Sequence, residues 1–219
     1  MSYKQIFRYE MNLASFLTPL KIKRNKAIDC YAVATEAIQR RVLDSLVKQC
    51  VTTEWGRAHE YESIQSYEQF AHNVPLNTYE DLKASIDRMR HGVTNVLWPG
   101  KVRWYAKSSG TTNDKSKFIP VSAQGLKDTH YRGGTDAVML YLKNNPQSRL
   151  FNGHALILGG SHAPNYNVAG SLVGDLSAIL IENINPMVNL FRIPPKPIAL
   201  LSDFEEKRDR IADYAKDKN

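Results

Sequence analysis

The segment 107–117, with the sequence KSSGTTNDKSK, constrains the fold more than any other part of this 219-residue chain. Before it, Val102, Trp104 and Ala106 alternate with Arg, Tyr and Lys at the period of two that is typical of a β-strand. After it comes a short apolar run that contains Pro120, and a helix interior does not tolerate proline. The sequence therefore predicts a loop that joins two strands.

This loop is rich in groups that bind phosphate. Its glycine, hydroxyl side chains and lysines place N–H and O–H donors and positive charge in a short segment, which is the chemistry of a phosphate cradle. A Walker loop is excluded, because after Gly110 the second glycine is missing and the spacing to the lysine is one residue short. The alternative is a solvated turn rich in Ser, Thr and Asn, and composition alone does not separate the two.

The run Ser-Ser-Gly-Thr-Thr, followed by Lys117 and Pro120, resembles the phosphate-binding motif of acyl-adenylate-forming enzymes. More specifically, it is similar to that of the auxin-responsive promoter (Gretchen Hagen) family of acyl acid amido synthetases. Three further stretches also resemble this family: TEWGR at 53–57, VPLNTYEDL at 74–82 and IDRM at 86–89. The likeness covers most of residues 50–185.

The resemblance implies an α/β fold, in which a helical N-terminal part precedes part of an adenylate-forming-type mixed sheet domain with a phosphate-binding hairpin loop. It implies ATP-dependent formation of an acyl-adenylate from a carboxylic acid, followed by amide transfer to an amino acid or other amine, with ATP and Mg²⁺ as cofactors. It leaves the catalytic residues unknown and assigns no metal ligand in this part of the chain. The residues that it places on the phosphates are Ser108, Ser109, Gly110, Thr111, Thr112 and Lys117.

The chain departs from the family pattern in two ways. Many members have a glycine where this chain has Asp114, whose carboxylate suits a bound triphosphate only if it points outward or faces a metal. Members are also considerably longer, and their later motifs, which bind ribose and adenine and supply an acidic metal contact, have no counterpart here. We therefore expect this chain to be the N-terminal portion of a synthetase, inactive alone, with the missing C-terminal portion of the same protein as its partner. The alternative is a non-catalytic anion- or protein-binding module of the same fold.

Composition narrows the choice of partners and compartment. A net charge of +7 and a pI near 9.3 favour anionic ligands. Nucleic acid is not expected, because long basic runs and zinc-finger or RNA-recognition signatures are missing. No membrane partner is expected either, since no stretch of about 18 residues is continuously apolar. Cys30 and Cys50 are too far apart along one predicted helix to form a disulfide, which indicates a reducing, cytoplasmic location.

Residues 1–95 are predicted to form a helical N-terminal region that packs on the core, and residues 96–219 an incomplete α/β nucleotide-binding region that contains the phosphate loop. A short helix is predicted to end at Thr18-Pro19. A longer helix spans about 27–50, with an inward face formed by Tyr31, Ala34, Ile38, Val42 and Leu46. Ser66 and Thr78 fit capping boxes that begin two further helices.

Ser122 is predicted to cap a long helix that ends near Leu142. Gly133 and Gly134 within it each cost about 1 kcal/mol relative to alanine. Close packing of a neighbouring element is the favoured reason for these glycines, and a ligand against the backbone is the alternative. Near the end of the chain, Ser202 is predicted to cap a closing helix in a capping box.

The apolar run Ala-Leu-Ile-Leu at 155–158 is predicted to form a buried strand. Two glycines, Ser161 and His162 follow it. Because α/β proteins bind ligands just beyond the carboxyl ends of strands, Ser161 and His162 are candidate substrate or nucleotide contacts. A structural turn at this position is the alternative. The three other histidines that lie singly among polar residues, His59, His72 and His91, have no metal-ligand spacing.

Overall fold

Helices and two small sheets make up the chain in a computed structural model, which describes residues 18–108 and 116–216. A three-stranded mixed sheet lies in the middle of the sequence, and two short strands form a separate parallel pair. Most of the remaining described residues are helical. The predicted α/β class, with a helical N-terminal part and a mixed sheet, is confirmed.

The first described helix begins earlier than the sequence predicts, and five helices make up the described N-terminal part. They are α1 (Thr18–Val33), α2 (Thr35–Cys50), α3 (Glu54–Ala58), α4 (Tyr67–Asn73) and α5 (Tyr79–Arg90). The short helix that is predicted to end at Thr18-Pro19 lies outside the described residues. Pro19 itself lies in the first turn of α1, where its missing N–H leaves no helical bond unmade. The predicted single helix over 27–50 is wrong, since Ala34 interrupts it with a φ of −133°.

The predicted inward face of the second helix is wrong as well. Val42 and Leu46 are 50% and 40% exposed, whereas Val47 and Cys50 are the buried residues of α2. Tyr31 in α1 is also largely exposed. The helical period correctly groups residues on a face, but it does not determine which face meets a neighbouring element.

The two predicted capping residues do begin α4 and α5. The Ser66 hydroxyl accepts a hydrogen bond from the Gln69 backbone N–H at 3.2 Å. The Asp81 carboxylate accepts one from the Thr78 backbone N–H at 2.7 Å, which is the reciprocal contact of a capping box. Gly92 follows α5 with a φ of 93°, a conformation that glycine adopts without steric cost.

The central sheet has the order β2-β1-β4, where β1 is Trp104–Lys107, β2 is Phe118–Val121 and β4 is Leu172–Gly174. Strands β1 and β2 are antiparallel, with Lys107 opposite Phe118, so the predicted strand, loop and strand are confirmed as a hairpin. Strands β1 and β4 are parallel. Tyr105 at the centre of β1 is fully buried and belongs to a core cluster with residues of α5 and β4.

The predicted buried strand at 155–158 is wrong in its burial and its length. Strand β3 is only Ala155–Leu156, and it pairs in parallel with β5 (Arg192–Ile193). Leu156 and Leu158 are 57% and 66% exposed. A continuous apolar run indicates burial on both faces, but among the described strands β5 is the only neighbour of β3.

A long helical stretch follows β2 and consists of α6 (Ala123–Gly125), a π-helical segment (Leu126–Tyr131) and α7 (Arg132–Asn144). The Ser122 hydroxyl accepts a hydrogen bond from the Gly125 N–H at 2.9 Å, which confirms the predicted cap. The packing predicted to explain Gly133 and Gly134 is wrong, because a Cβ at either position would have no described heavy atom within 4 Å.

Three helices complete the fold: α8 (Leu176–Asn183), α9 (Lys196–Ala199) and α10 (Phe204–Lys216). The closing helix is confirmed, but its predicted cap is not. The Asp203 carboxylate, rather than Ser202, accepts a hydrogen bond from the Glu206 N–H at 2.7 Å. Within the described residues, no helix is both long enough and apolar enough to cross a membrane.

Candidate functional site

The two ends of the predicted phosphate loop are held together at the tip of the β1–β2 hairpin. The Ser108 N–H donates to the Lys117 carbonyl at 2.9 Å, and the Lys117 N–H donates to the Ser108 hydroxyl at 3.2 Å. Four other predicted phosphate contacts, Ser109, Gly110, Thr111 and Thr112, lie outside the described residues, as does Asp114. The structure thus brings Ser108 and Lys117 together, and the predicted phosphate contacts stay a prediction.

The loop emerges at the edge of the sheet where parallel strands end. Ala106 of β1 is opposite Gly174 of β4, and both strands run toward this edge. Helix α8 begins there, immediately after Asp175. In open α/β sheets, ligands bind outside the carboxyl ends of parallel strands. The hairpin therefore presents its loop at the edge that α/β proteins use for binding.

The backbone of the turn that contains Ser161 is fixed to this same edge by hydrogen bonds to backbone and side-chain groups. The Asp175 carboxylate accepts from the Ser161 N–H at 2.9 Å, and the Asp175 N–H donates to the Ser161 carbonyl at 3.0 Å. Ser177 accepts from the Gly160 N–H at 2.8 Å, and the Lys207 ammonium donates to the Gly160 carbonyl at 3.1 Å. These contacts are those of a structural turn, which was the alternative to a ligand contact at this position.

Gly160 is required by the close approach of the Asp175 side chain. A Cβ at position 160 would lie 2.1 Å from Asp175 Oδ2, far inside van der Waals contact. Burial lowers the pKa of Lys207, although the negative charge of Asp175 partly opposes this. The turn, Asp175 and Lys207 therefore form one packed unit of opposite charges at this edge of the sheet.

His162 lies against the sheet in a second charged cluster. Its ring stacks on Trp104 at 5.3 Å between centroids, and its Nε2 lies 3.4 Å from a carboxylate oxygen of Glu182. The other Glu182 oxygen is 2.7 Å from the Lys196 ammonium. Burial alone would raise the pKa of Glu182, but Lys196 and His162 together hold it below its ordinary value. His162 has partners within the protein, and its role as a ligand contact stays a prediction.

A cavity of about 710 Å³ lies between helix α5 and the base of the hairpin. No motif in the sequence indicates this cavity. The signal available in the sequence was the run of charged residues at three- and four-residue spacing in α5, which is also typical of an ordinary solvated helix face. The charged and aromatic residues that line the cavity include Tyr79, Glu80, Lys83, Asp87, Arg90, Lys117, Phe118 and Tyr166.

Arg90 and Tyr79 fix the hairpin to α5 at this cavity. The Arg90 guanidinium lies 3.8 Å from the centre of the Phe118 ring and donates to the Tyr166 carbonyl at 2.9 Å. The Tyr79 hydroxyl accepts from the Phe118 N–H at 3.0 Å. The Lys117 ammonium lies over the Tyr79 ring, 5.3 Å from its centre. Lys117 consequently belongs both to the end of the loop and to the wall of the cavity.

Residues 18–108 and 116–216 contain no group of three or more His, Cys, Asp or Glu side chains that could hold a metal ion.

The architecture is that of the acyl acid amido synthetases. The solved structure of GH3.15 acyl acid amido synthetase matches with a TM-score of 0.69 at 19% identity, over 83% of this chain and 32% of that one. A second structure, AtGH3.15 acyl acid amido synthetase in complex with 2,4-DB, matches with a TM-score of 0.64 at 20% identity, over 75% and 28% of the two chains. At these identities the likeness shows the fold alone.

The chain belongs to the GH3 family: the family's N-terminal domain matches residues 25–210. Indole-3-acetic acid-amido synthetase GH3.6 of Arabidopsis thaliana is 31% identical over 106 residues, which are 47% of this chain and 17% of that protein. Jasmonoyl--L-amino acid synthetase JAR4 of Nicotiana attenuata is 27% identical over 144 residues, which are 62% and 24%. The matched regions thus span less than a quarter of these two relatives.

Proposed function

We propose that this chain is the phosphate-binding portion of an ATP-dependent acyl acid amido synthetase. The observation that carries the proposal is the hairpin closed by Ser108 and Lys117, at the carboxyl edge of parallel strands, in a chain of the GH3 family. The relatives are named as amido and amino acid synthetases. The substrates that we propose are accordingly a carboxylic acid, ATP and an amine such as an amino acid.

The proposed reaction has two steps. A carboxylate oxygen of the acid attacks the α-phosphorus of ATP, and the bond to pyrophosphate breaks to leave an acyl-adenylate. The amine nitrogen then attacks the acyl carbon, the C–N bond forms, AMP leaves, and the proton of the amine passes to solvent. In the first step a negative nucleophile approaches a polyanion, so fixed donors aimed at the phosphates lower the barrier electrostatically.

The loop supplies these donors in our proposal. Backbone N–H and hydroxyl groups of the loop bind the β- and γ-phosphates, and the Lys117 ammonium adds positive charge. The exposure of Lys117 supports this role, as does the lack of any carboxylate within ion-pair distance among the described residues. No step is assigned to a metal held by this part of the chain. The proposed phosphate-binding residues are Ser108, Ser109, Gly110, Thr111, Thr112 and Lys117.

Thermal denaturation with millimolar ATP and Mg²⁺ tests the proposal. Because a ligand that binds only the native state stabilises it by mass action, ATP should raise the melting temperature. Lys117→Gln should remove most of this rise, whereas the matched change Lys127→Gln, at another exposed lysine, should retain it. Absence of a rise in the unchanged chain would contradict the proposal and favour the non-catalytic module.

Pyrophosphate exchange with a panel of carboxylic acids tests the expectation that this part does not turn over alone. The matched regions cover only a fraction of the synthetases' length, so we expect exchange below detection for the 219-residue chain. Robust exchange would show that these residues suffice for the adenylation step.

A further inference from the structure

Each end of the phosphate loop has a lysine that lies over a tyrosine ring. The Lys107 ammonium is 4.3 Å from the centre of the Tyr166 ring, and the Lys117 ammonium is 5.3 Å from that of Tyr79. A cation within about 6 Å of the centre of an aromatic ring is attracted to the face of that ring. The two ends of the loop therefore have the same kind of lysine–tyrosine contact.

The strand pattern places Lys107 on the face of the sheet that packs on α5. Side chains alternate between the two faces of a strand, so Lys107 shares a face with Tyr105, which is buried in the core cluster that includes residues of α5. Phe118 is directly opposite Lys107 in the antiparallel pair. Lys107 is the last residue of β1, so its side chain lies just beyond this core, where the loop begins.

Tyr166 is fixed by contacts of its backbone and its ring. Its N–H donates to the Ala163 carbonyl at 3.0 Å, and its carbonyl accepts from Arg90 at 2.9 Å. Its ring lies 5.7 Å from the Phe118 ring. Because the ring is held in place, it can orient the flexible Lys107 side chain before a ligand binds, which reduces the entropy that binding costs.

A tyrosine ring holds an ammonium group without neutralising it. Lys83 of α5 is paired with the Glu80 carboxylate at 3.1 Å. Lys107 and Lys117, by contrast, have no carboxylate within ion-pair distance in the described part of the chain. A carboxylate would cancel much of their positive potential, whereas a neutral ring does not. Both charges therefore remain available to an anion beside the loop.

We propose that Lys107 is a second phosphate-binding lysine, and that Tyr166 is the residue that positions it. The Lys107 and Lys117 ammonium groups bind the pyrophosphate part of ATP from the two ends of the loop. This inference rests on the synthetase function proposed above and adds a residue for the leaving group of its first step. Two ammonium groups held in place stabilise the negative charge that pyrophosphate gains as its bond to the α-phosphorus breaks.

Calorimetric titration of the 219-residue chain with inorganic pyrophosphate tests the role of Lys107. Lys107→Gln should weaken binding about tenfold, because it removes a charge-assisted hydrogen bond. The matched change Lys101→Gln, at an exposed lysine before β1, should bind like the unchanged chain. Equal binding by Lys107→Gln, or no binding of pyrophosphate by the unchanged chain, would overturn the proposal.

Two changes at Tyr166 separate a positioning role from a structural one. Tyr166→Leu removes the ring and should weaken pyrophosphate binding about threefold, as expected for a cation–π contact at a partly exposed site. Tyr166→Phe keeps the ring and should bind like the unchanged chain. Circular dichroism checks that the variants are folded, and Tyr166→Phe decides the question if Tyr166→Leu is not. Weaker binding by folded Tyr166→Phe would show that the ring face is not what matters.

A double-mutant cycle shows whether Tyr166 acts through Lys107. In the Lys107→Gln background, Tyr166→Leu should have no further effect on pyrophosphate binding, because the ring has no ammonium group left to orient. A second threefold loss in that background would mean that Tyr166 acts independently of Lys107, and the positioning role would be wrong.

The ATP experiment separates this inference from the function on which it rests. If ATP stabilises the chain through Lys117 but Lys107→Gln binds pyrophosphate normally, this inference fails and the proposed function stands. If pyrophosphate binds through Lys107 and ATP does not stabilise the chain, the synthetase function fails and the two lysines remain a pyrophosphate site.

Discussion

Arg192 is a buried cation without an acceptor in the described part of the chain. Only 3% of its surface is exposed, and none of its three side-chain nitrogens has a hydrogen-bond partner within 18–108 or 116–216. Burial lowers its pKa accordingly. An unpaired buried charge costs more than the same volume of hydrocarbon, because its hydration is lost without replacement.

Replacing Arg192 with methionine should therefore raise the free energy of unfolding. We expect a gain of roughly 1–3 kcal/mol, the range for a buried polar group left unsatisfied. Urea denaturation measures the change, and Arg149→Met, at an exposed arginine, is the control that should leave stability nearly unchanged. A lower stability for Arg192→Met would show that an acceptor outside the described residues binds the guanidinium.

Two glycines should respond to alanine in opposite directions. At Gly56 a Cβ would lie 2.0 Å from the Cys50 carbonyl oxygen, a backbone atom that cannot move without disturbing the end of α2. At Gly134 a Cβ has open space. Gly56→Ala should lower the free energy of unfolding by roughly 1–3 kcal/mol, and Gly134→Ala should raise it by about 1 kcal/mol. Thermal or urea denaturation of the pair tests both signs, and destabilisation by Gly134→Ala would reveal a contact at that face.

At the scale of single residues, the sequence predicted contacts between residues close together in the chain. It missed contacts between residues of distant elements. Ser108 and Lys117 meet because the strands that flank them pair, and strand patterns are visible in sequence. Arg90 is one of many charged helix residues in the chain. Its burial between Phe118 and Tyr166 depends on elements far apart in sequence, which no local pattern reveals.

Among the elements, helix α10 offers a direct test of how it begins. Ser202 and Asp203 are adjacent, and both are residue types that cap helices. Since Asp203 makes the hydrogen bond, Asp203→Ala should lower the free energy of unfolding by about 1 kcal/mol, and Ser202→Ala should have little effect. Guanidinium denaturation distinguishes the two, and a larger loss for Ser202→Ala would contradict the assignment.

Elements with strong local signals were predicted, and elements that depend on neighbours were not. The caps of α4 and α5 and the hairpin each follow from a few consecutive residues. The division of the predicted helix at Ala34 had no proline or glycine to indicate it. The π-helical turn at Leu126–Tyr131 likewise has no marker in the sequence, because it reflects how the long helix packs on the sheet.

For the whole molecule, the Glu182 cluster couples stability to pH. It links α8 and α9 to the turn that holds His162. The folded-state pKa of Glu182 is below its ordinary value of 4.5, so its contribution is complete above that pH and is lost as the pH falls through the lower folded value. Urea denaturation between pH 7 and pH 3 should show a smaller acid-side decline for Glu182→Gln than for the unchanged chain, with Glu62→Gln as control. Identical declines would remove Glu182 from the acid response.

Family and fold class were accessible from the sequence because the relevant motifs are short and contiguous. The GH3 domain over residues 25–210 includes the quoted stretches that resemble the family. The cavity, in contrast, depends on side chains gathered from several elements. In the cavity, α5, β2 and Tyr166 come together only in three dimensions.

Strand β3 has a consequence for the behaviour of the purified chain. The Ala155 N–H donates to the Phe191 carbonyl, just before β5, and the Ile157 N–H donates to the Ile193 carbonyl within β5. The alternate peptide groups therefore face outward beside the exposed Leu156 and Leu158. An open apolar strand edge is a template for intermolecular pairing, which net charge opposes until salt screens it. We expect light scattering of concentrated samples to rise with ionic strength, and Leu156→Lys to suppress this turbidity. How long the purified protein stays in solution would then depend on this exposed strand edge rather than on the stability of the fold.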